Sequence, residues 1–315
     1  MMKKFGLTGV AGYVAPRHLK AIKETGNGLI ACYDPHDSVG VLDHYFPHAD
    51  FFTVYERFER HLTKLALHPV SKIDYFTVCS PNYLHDAHIR LALNHGADVI
   101  CEKPLVLNPQ NLDILQELEL KSGKKVYTVM QLRSHPSLMA LKENLSKQPD
   151  KKHKVELTYI TSRGSWYHYS WKGEEEKSGG IATNIGIHLF DLLIWLFGSV
   201  EQSQVHLSDK NKMAGSLELK NADVAWFLSI DENDLPTDAK VKSKTTHRSI
   251  KVDGEEIEFT DGFTDLHTKV YQEILNGRGL GIKDARPSIE IVYNIRFAKV
   301  ASKKNLIHPM ISKVR

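Results

Sequence analysis

Residues 5–15, Phe5-Gly6-Leu7-Thr8-Gly9-Val10-Ala11-Gly12-Tyr13-Val14-Ala15, decide the fold. The apolar run reads as a strand and the glycines as a tight turn. A helix then continues through His18-Leu19-Lys20-Ala21-Ile22 to a stop at Gly26. Glycines between a strand and a helix let the backbone approach a pyrophosphate closely, while the helix start supplies amide donors and a favourable dipole. The spacing is G-x-x-G-x-x-A rather than G-x-G-x-x-G, so the turn by itself also fits a plain strand-to-helix connection. The next strand, Gly28-Leu29-Ile30-Ala31-Cys32-Tyr33, ends on Asp34, about twenty residues on, where a carboxylate accepts hydrogen bonds from adenosine ribose hydroxyls. That carboxylate would repel a 2′-phosphate, which favours NAD over NADP. A turn-forming aspartate before Pro35 is the simpler alternative.

Outward from this unit, strands alternate with helical segments. Ile73 to Cys79 reads as a strand that stops at Ser80-Pro81-Asn82, a helical pattern runs from His85 to Asn94, and Asp98 to Cys101 is a strand that breaks at Glu102-Lys103-Pro104. A helix near 109–122 and a strand over 125–130 follow. This alternation predicts an α/β fold with a doubly wound parallel sheet, a Rossmann domain over 1–132. From 133 to 315 the pattern changes. Strands over 155–163, 200–208, 216–219, 224–230, 248–252 and 255–260, the last two joined by Asp253-Gly254, predict an α+β domain with a large, mostly antiparallel sheet. Helices are expected from Gly180 or Ile181 to about Phe197, over 263–275 and over 287–301.

Composition restricts the function. With 42% hydrophobic and 25% charged residues and a net charge of +3, the chain has the balance of a globular protein and no basic stripe for nucleic acid. Cys32, Cys79 and Cys101 sit in or at the ends of apolar runs, as buried strand residues of a reducing compartment do. The start of the chain lacks a signal-peptide pattern, and the longest apolar stretch contains His188 and Asp191, so a cytoplasmic protein without a membrane span is expected. The 17 histidines show no tetrahedral ligand spacing with cysteine or carboxylate, so no metal is expected.

Two further motifs carry chemistry. Glu102-Lys103-Pro104 lies at the carboxyl end of a sheet strand, where open parallel sheets bind ligands. A lysine partly desolvated there can exchange protons with a hydroxyl, with Glu102 tuning or orienting it. In Gly179-Gly180-Ile181-Ala182-Thr183-Asn184-Ile185-Gly186-Ile187-His188-Leu189-Phe190-Asp191, a helix would place Asn184, His188 and Asp191 on one face of an otherwise apolar segment. Buried polar groups cost free energy unless satisfied, so such a face asks for a role; a hydrogen-bonded core histidine is the alternative.

Together these motifs resemble the Gfo/Idh/MocA oxidoreductase family, and Ser80-Pro81-Asn82-Tyr83-Leu84-His85 matches its third-strand turn. Residues 12–22, Gln131 to Pro136 and Asp284 to Glu290 resemble its branch of UDP-N-acetyl-2-amino-2-deoxyglucuronate 3-dehydrogenases from bacterial surface-polysaccharide (O-antigen) synthesis. That branch oxidises C3 of UDP-GlcNAcA to a ketone with NAD, and in some members 2-oxoglutarate reoxidises the NADH. The resemblance implies Lys103 and His188 as the catalytic pair, one of them the base, with the choice between them open. Asn184 stands where many relatives have aspartate, and an amide cannot be the base. The implied cofactor contacts are Gly9, Gly12, Tyr13, Val14, Asp34, Ser80, Pro81, Asn82, His85, Glu102, Lys103, Gln131, Trp171 and Lys172. The stretch Arg163 to Lys172 combines aromatics with cations at a strand end, which suits a sugar ring and a carboxylate. Arg163, pairing with the uronate, and Tyr167 therefore join Lys103, Asn184 and His188 as expected substrate contacts; a Tyr/Trp-rich loop packed at a subunit contact is the alternative. Tyr83 and Arg133 are further candidates. A cis bond before Pro104 and a homo-dimer or tetramer are also implied. Another sugar or inositol dehydrogenase of the family, or a non-enzymatic dinucleotide sensor, is the alternative.

Overall fold

A computed structural model describes residues 2–259 and 265–313, which form two compact units. The first takes the chain up to Gln131 and again from Asp265 to Arg286. Its strands are β1 (Lys4–Thr8), β2 (Gly28–Tyr33), β3 (Asp50–Phe52), β4 (Tyr75–Val78), β5 (Asp98–Cys101) and β6 (Val126–Thr128). All pair in parallel, in the order β3-β2-β1-β4-β5-β6. Phe5, Leu7, Phe76, Val78, Val99 and Ile100 are buried, as a parallel sheet covered on both faces requires. The strand order reverses between β1 and β4, the switch point at which the loops after the strands diverge and leave room for a ligand.

The doubly wound sheet agrees with the sequence reading, but β3 and the helix Tyr55–Ala66 have no counterpart in it. β3 is too short to show a period, and the helix buries only Phe58 and Leu62. A larger difference concerns helix Leu266–Leu275, which the sequence grouped with 133–315. It packs on the first unit, where Val270, Tyr271 and Ile274 join Phe5, Leu19 and Ile22 in one apolar core. Its apolar face is legible, but an apolar face does not say which sheet it covers. The expected start of this helix at 263, and the end of the expected strand at 260, lie outside the described residues.

The second unit takes Leu132 onward and resumes at Pro287. Its strands are β7 (His153–Thr161), β8 (Val200–Ser208), β9 (Lys212–Leu219), β10 (Ala222–Ser229), β11 (Thr246–Val252) and β12 (Glu255–Glu258). They form one sheet, β12-β11-β7-β10-β9-β8, antiparallel except for the parallel β7/β10 pair. Asp253 (φ 52°) and Gly254 (φ 92°) make the hairpin turn that their sequence predicts, because a two-residue turn matching strand twist needs positive φ at both positions.

Two expected helices differ from the observed ones. The segment from Gly180 to Phe197 is broken into Gly180–Asn184 and Ile187–Phe197, with a 42° bend between the flanking stretches. Gly186 lies at the break, where a Cβ would come within 2.6 Å of the Ala182 carbonyl oxygen and 2.7 Å of Leu228 Cδ1, so the chain is pressed against β10. The last long helix starts at Ile282, ahead of Pro287, which sits inside it. The Asp284 carboxylate accepts from the Gly281 amide at 2.8 Å and so satisfies one donor at its start. Among the described residues no single helix is long and apolar enough to cross a membrane.

Because Ile274 is 1% exposed within the core that holds Leu266–Leu275 in place, Ile274→Ala should lower stability by about 2–5 kcal/mol. Thermal unfolding measures this, and an unchanged Tm would contradict the packing described.

Candidate active site

In the first unit, the nucleotide turn is built around Gly9, whose φ of 85° is in the left-handed region. A Cβ there would lie 2.5 Å from the backbone of Cys79 and Ser80, so only glycine lets the turns after β1 and β4 approach this closely. The Gly9 amide donates to the Tyr33 carbonyl at 2.8 Å and the Gly12 amide to the Gly9 carbonyl at 3.0 Å, after which helix Ala15–Glu24 begins with a proline in its first turn. Asp34 follows β2 and is 6% exposed. Its carboxylate accepts from the amides of Ala11, at 3.0 Å, and His36, at 2.9 Å, so the acidic residue is tied to the glycine turn itself. A carboxylate held beside a glycine turn at a switch point fits the adenosine ribose and pyrophosphate of a dinucleotide.

The turn after β4 is held by histidines. The Ser80 hydroxyl meets His88 Nδ1 at 2.8 Å, and His85, 1% exposed, sets Nε2 2.7 Å from the Ser80 carbonyl and Nδ1 2.6 Å from the Pro104 carbonyl. His85 thus ties the Ser80-Pro81 turn to the Glu102-Lys103-Pro104 turn. Burial lowers its pKa, opposed by the bonds to the two carbonyls. The Lys103–Pro104 bond is cis.

Glu102 is 7% exposed. Its Oε1 accepts from His18 Nε2 at 2.9 Å and from His267 Nε2 at 3.1 Å, and its Oε2 lies 3.3 Å from the Lys103 amide. Burial by itself would raise the carboxyl pKa, but the hydrogen bonds from His18 and His267 outweigh it and hold the group well below the usual range. Among the described residues this is the group of three metal-capable side chains whose donor atoms converge. Both histidines point at the same oxygen at hydrogen-bond distance, so the arrangement is a bonded triad. Sequence reasoning found Glu102 but not His18 or His267 as its partners, and no local signal links residues 84 and 165 positions apart. Gln131 is 7% exposed and its buried Oε1 has no hydrogen-bond partner, which suits a ligand donor. Asn82 is buried, while Tyr83 is 44% and Tyr13 86% exposed. Lys103 is half-buried.

In the second unit, Asn184 ends one helix and His188 lies in the first turn of the next. Asn184 Nδ2 donates to the Tyr167 hydroxyl at 2.9 Å, which joins two of the expected substrate residues, and burial raises the Tyr167 pKa. Asp191, placed by the sequence on the same face, instead pairs with Arg133: Nε to Oδ2 at 2.9 Å and Nη2 to Oδ1 at 2.6 Å. Asp191 is 1% exposed, so Arg133 is a structural counter-ion for the His188 helix. Arg163 is exposed. Lys172 Nζ lies 4.5 Å from the Trp171 ring centroid and 5.6 Å from that of Trp166, a cation held over aromatic faces.

A glycine turn, a ribose-side carboxylate and a buried-carboxylate lysine motif on a doubly wound sheet, followed by a sheet domain carrying a histidine helix, define a dinucleotide-dependent oxidoreductase. Residues 3–130 match the family model described as "Oxidoreductase family, NAD-binding Rossmann fold", and residues 151–234 match "Oxidoreductase family, C-terminal alpha/beta domain". The chain therefore belongs to the Gfo/Idh/MocA oxidoreductase family. A crystal structure of the WlbA (WbpB) dehydrogenase from Thermus thermophilus, in complex with NAD and UDP-GlcNAcA, is 50% identical, with a TM-score of 0.95 over 98% of this chain and 100% of that one. A second structure of that dehydrogenase, with NAD and alpha-ketoglutarate, is 51% identical at the same TM-score and coverage. The D-glucoside 3-dehydrogenase of Escherichia coli (strain K12) is 29% identical over 186 residues, 50% of this chain. The chain spans 51% of the length of that curated relative, and 37% and 31% of two others.

Two measurements follow. Asp191→Asn leaves the Arg133 guanidinium without its counter-charge and should destabilise the protein by about 3–5 kcal/mol in chemical denaturation, whereas a loss below about 1 kcal/mol would contradict a buried pair. His88 is depressed to about 4 from 6.5, first by burial and then by His85. Between those values the unfolded chain binds the proton and the folded chain does not, so stability is full above pH 6.5 and lost as pH falls, by about 3 kcal/mol over the window. His88→Gln should flatten the fall in Tm between pH 6.5 and 4.5; an unchanged slope would contradict the neutral buried ring.

Proposed function

We propose that the protein oxidises the C3 hydroxyl of UDP-N-acetylglucosaminuronic acid to the 3-keto sugar with NAD. The observation that carries this reading is the 50% identity, over 98% of the chain, to a dehydrogenase solved with NAD and UDP-GlcNAcA. The glycine turn and the tied Asp34 carboxylate, which suit an unphosphorylated ribose, support the choice of NAD.

Gly9, Gly12, Tyr13, Val14 and Asp34 hold the adenosine and pyrophosphate side of the cofactor. Ser80, Pro81, Asn82, His85, Glu102, Lys103, Gln131, Trp171 and Lys172 complete its site, with Ser80 and His85 acting chiefly through the backbone they fix. NAD, when bound, supplies the oxidant for the carbinol carbon. Oxidation breaks the C3–H and O–H bonds and forms a carbonyl, so a side chain has to take the hydroxyl proton. Lys103 and His188 are the residues for it: an amine or an imidazole in its uncharged form accepts a proton and can release it to water. Asn184 cannot do so; fixed by the Tyr167 hydroxyl, it orients the sugar. Arg163 meets the uronate carboxylate.

The similarity to a structure that holds alpha-ketoglutarate supports regeneration of the oxidised cofactor by a 2-oxo acid. A place in cytoplasmic O-antigen sugar synthesis, as a dimer or tetramer, completes the reading.

Purified protein incubated with UDP-GlcNAcA, NAD and 2-oxoglutarate should yield a 3-keto sugar nucleotide and 2-hydroxyglutarate, seen by mass spectrometry; turnover of free sugars or inositol with none of UDP-GlcNAcA would overturn the substrate. Lys103→Ala should lower kcat by about a hundredfold or more with NAD affinity retained, and undiminished turnover would reject its role.

A further inference from the structure

Helix Leu266–Leu275 brings two polar side chains to the first unit on one face, His267 and Tyr271, four positions apart. His267 reaches Glu102, and the Tyr271 hydroxyl lies 2.8 Å from His18 Nδ1 and 2.9 Å from Thr77 Oγ1. The His18 and His267 rings meet edge to face, with centroids 5.0 Å apart. Glu102, His18, His267 and Tyr271 are all buried. Apolar contact for this helix comes from Val270, the Tyr271 ring and Ile274 without His267, and a buried polar network is costly unless every member is satisfied. The network also ends at a defined place. Glu102 is the residue before Lys103, and its second oxygen lies on the Lys103 amide side.

We infer that His267, with His18, is a positioning residue for Lys103: by fixing both the orientation and the negative charge of Glu102 it sets where the lysine is presented and at which pH it exchanges its proton. The inference rests on the reading of Lys103 as the proton-handling residue.

Glu102 interacts with His18 of helix Ala15–Glu24, His267 and Tyr271 of Leu266–Leu275, Cys79 and Cys101 at the strand ends, and His85; Arg17 acts on His18 and Lys103 on His85. Burial keeps both thiols and the phenol neutral, raising each well above its usual value, so Glu102 is the anion of this cluster. Removing that charge favours the uncharged amine of Lys103.

The test uses the full-length enzyme with NAD and UDP-GlcNAcA, comparing His267→Leu, His267→Gln and Glu102→Gln. His267→Leu should lower kcat by about tenfold or more, while KM and the NAD dissociation constant stay within about twofold. His267→Gln, which keeps an N–H donor at similar reach, should recover most of that loss. In Glu102→Gln, the limb of the kcat profile governed by Lys103 should move to lower pH by about one unit or more. A pH profile unmoved in Glu102→Gln would overturn the inference, as would a His267→Leu enzyme with normal kcat or with NAD affinity reduced as much as kcat. Should His267→Leu fail to fold, the His267→Gln and Glu102→Gln profiles decide. Full turnover by Lys103→Ala is a different result, which removes the reading of Lys103 rather than the link between His267 and Glu102.

Discussion

The bonded triad of His18, Glu102 and His267 is the constraint on which the Glu102-Lys103-Pro104 side of the first unit depends. A carboxylate out of water is tolerable only when its charge is met, and here two imidazole N–H groups meet it on one oxygen. The triad links the helix that follows the nucleotide turn, the residue after β5 and helix Leu266–Leu275. Lys103 is then bracketed: Glu102 before it is held by the triad, and the Pro104 carbonyl after it is held by His85. The same His85 fixes Ser80, whose backbone is where Gly9 makes its close approach. Nucleotide turn and lysine turn are thus one connected piece of polar structure over an apolar sheet.

Most of the fold was legible because it rests on local signals. The strand limits of β2 and β5 follow from apolar runs bounded by turn residues, and Asp253-Gly254 specifies its hairpin through backbone conformation alone. What local patterns miss is what packing decides. The helix break at Gly186 comes from contact with Leu228, and the placement of Leu266–Leu275 from a complementary surface around Phe5 and Leu19. The same division holds at the site. Gly9, Asp34, Glu102 and Lys103 carry their meaning in their position relative to a strand end. His267 and Tyr271 lie in an ordinary amphipathic helix and acquire theirs only from the neighbours that folding supplies.

The histidine-bearing helix of the second unit shows how a polar residue on an apolar segment can mislead. Asn184, His188 and Asp191 share a sequence spacing, but Asp191 is neutralised by Arg133 and serves to anchor its helix, while Asn184 is fixed by Tyr167. Among the three, His188 is the one suited to proton transfer by chemical type.

The most direct test of the account follows the hydrogen on C3. With UDP-GlcNAcA carrying deuterium at that carbon and a single turnover on the enzyme, the reduced cofactor should be heavier by one mass unit and the sugar should be the unlabelled 3-ketone. Deuterium retained on the sugar while NAD is reduced would contradict oxidation at C3.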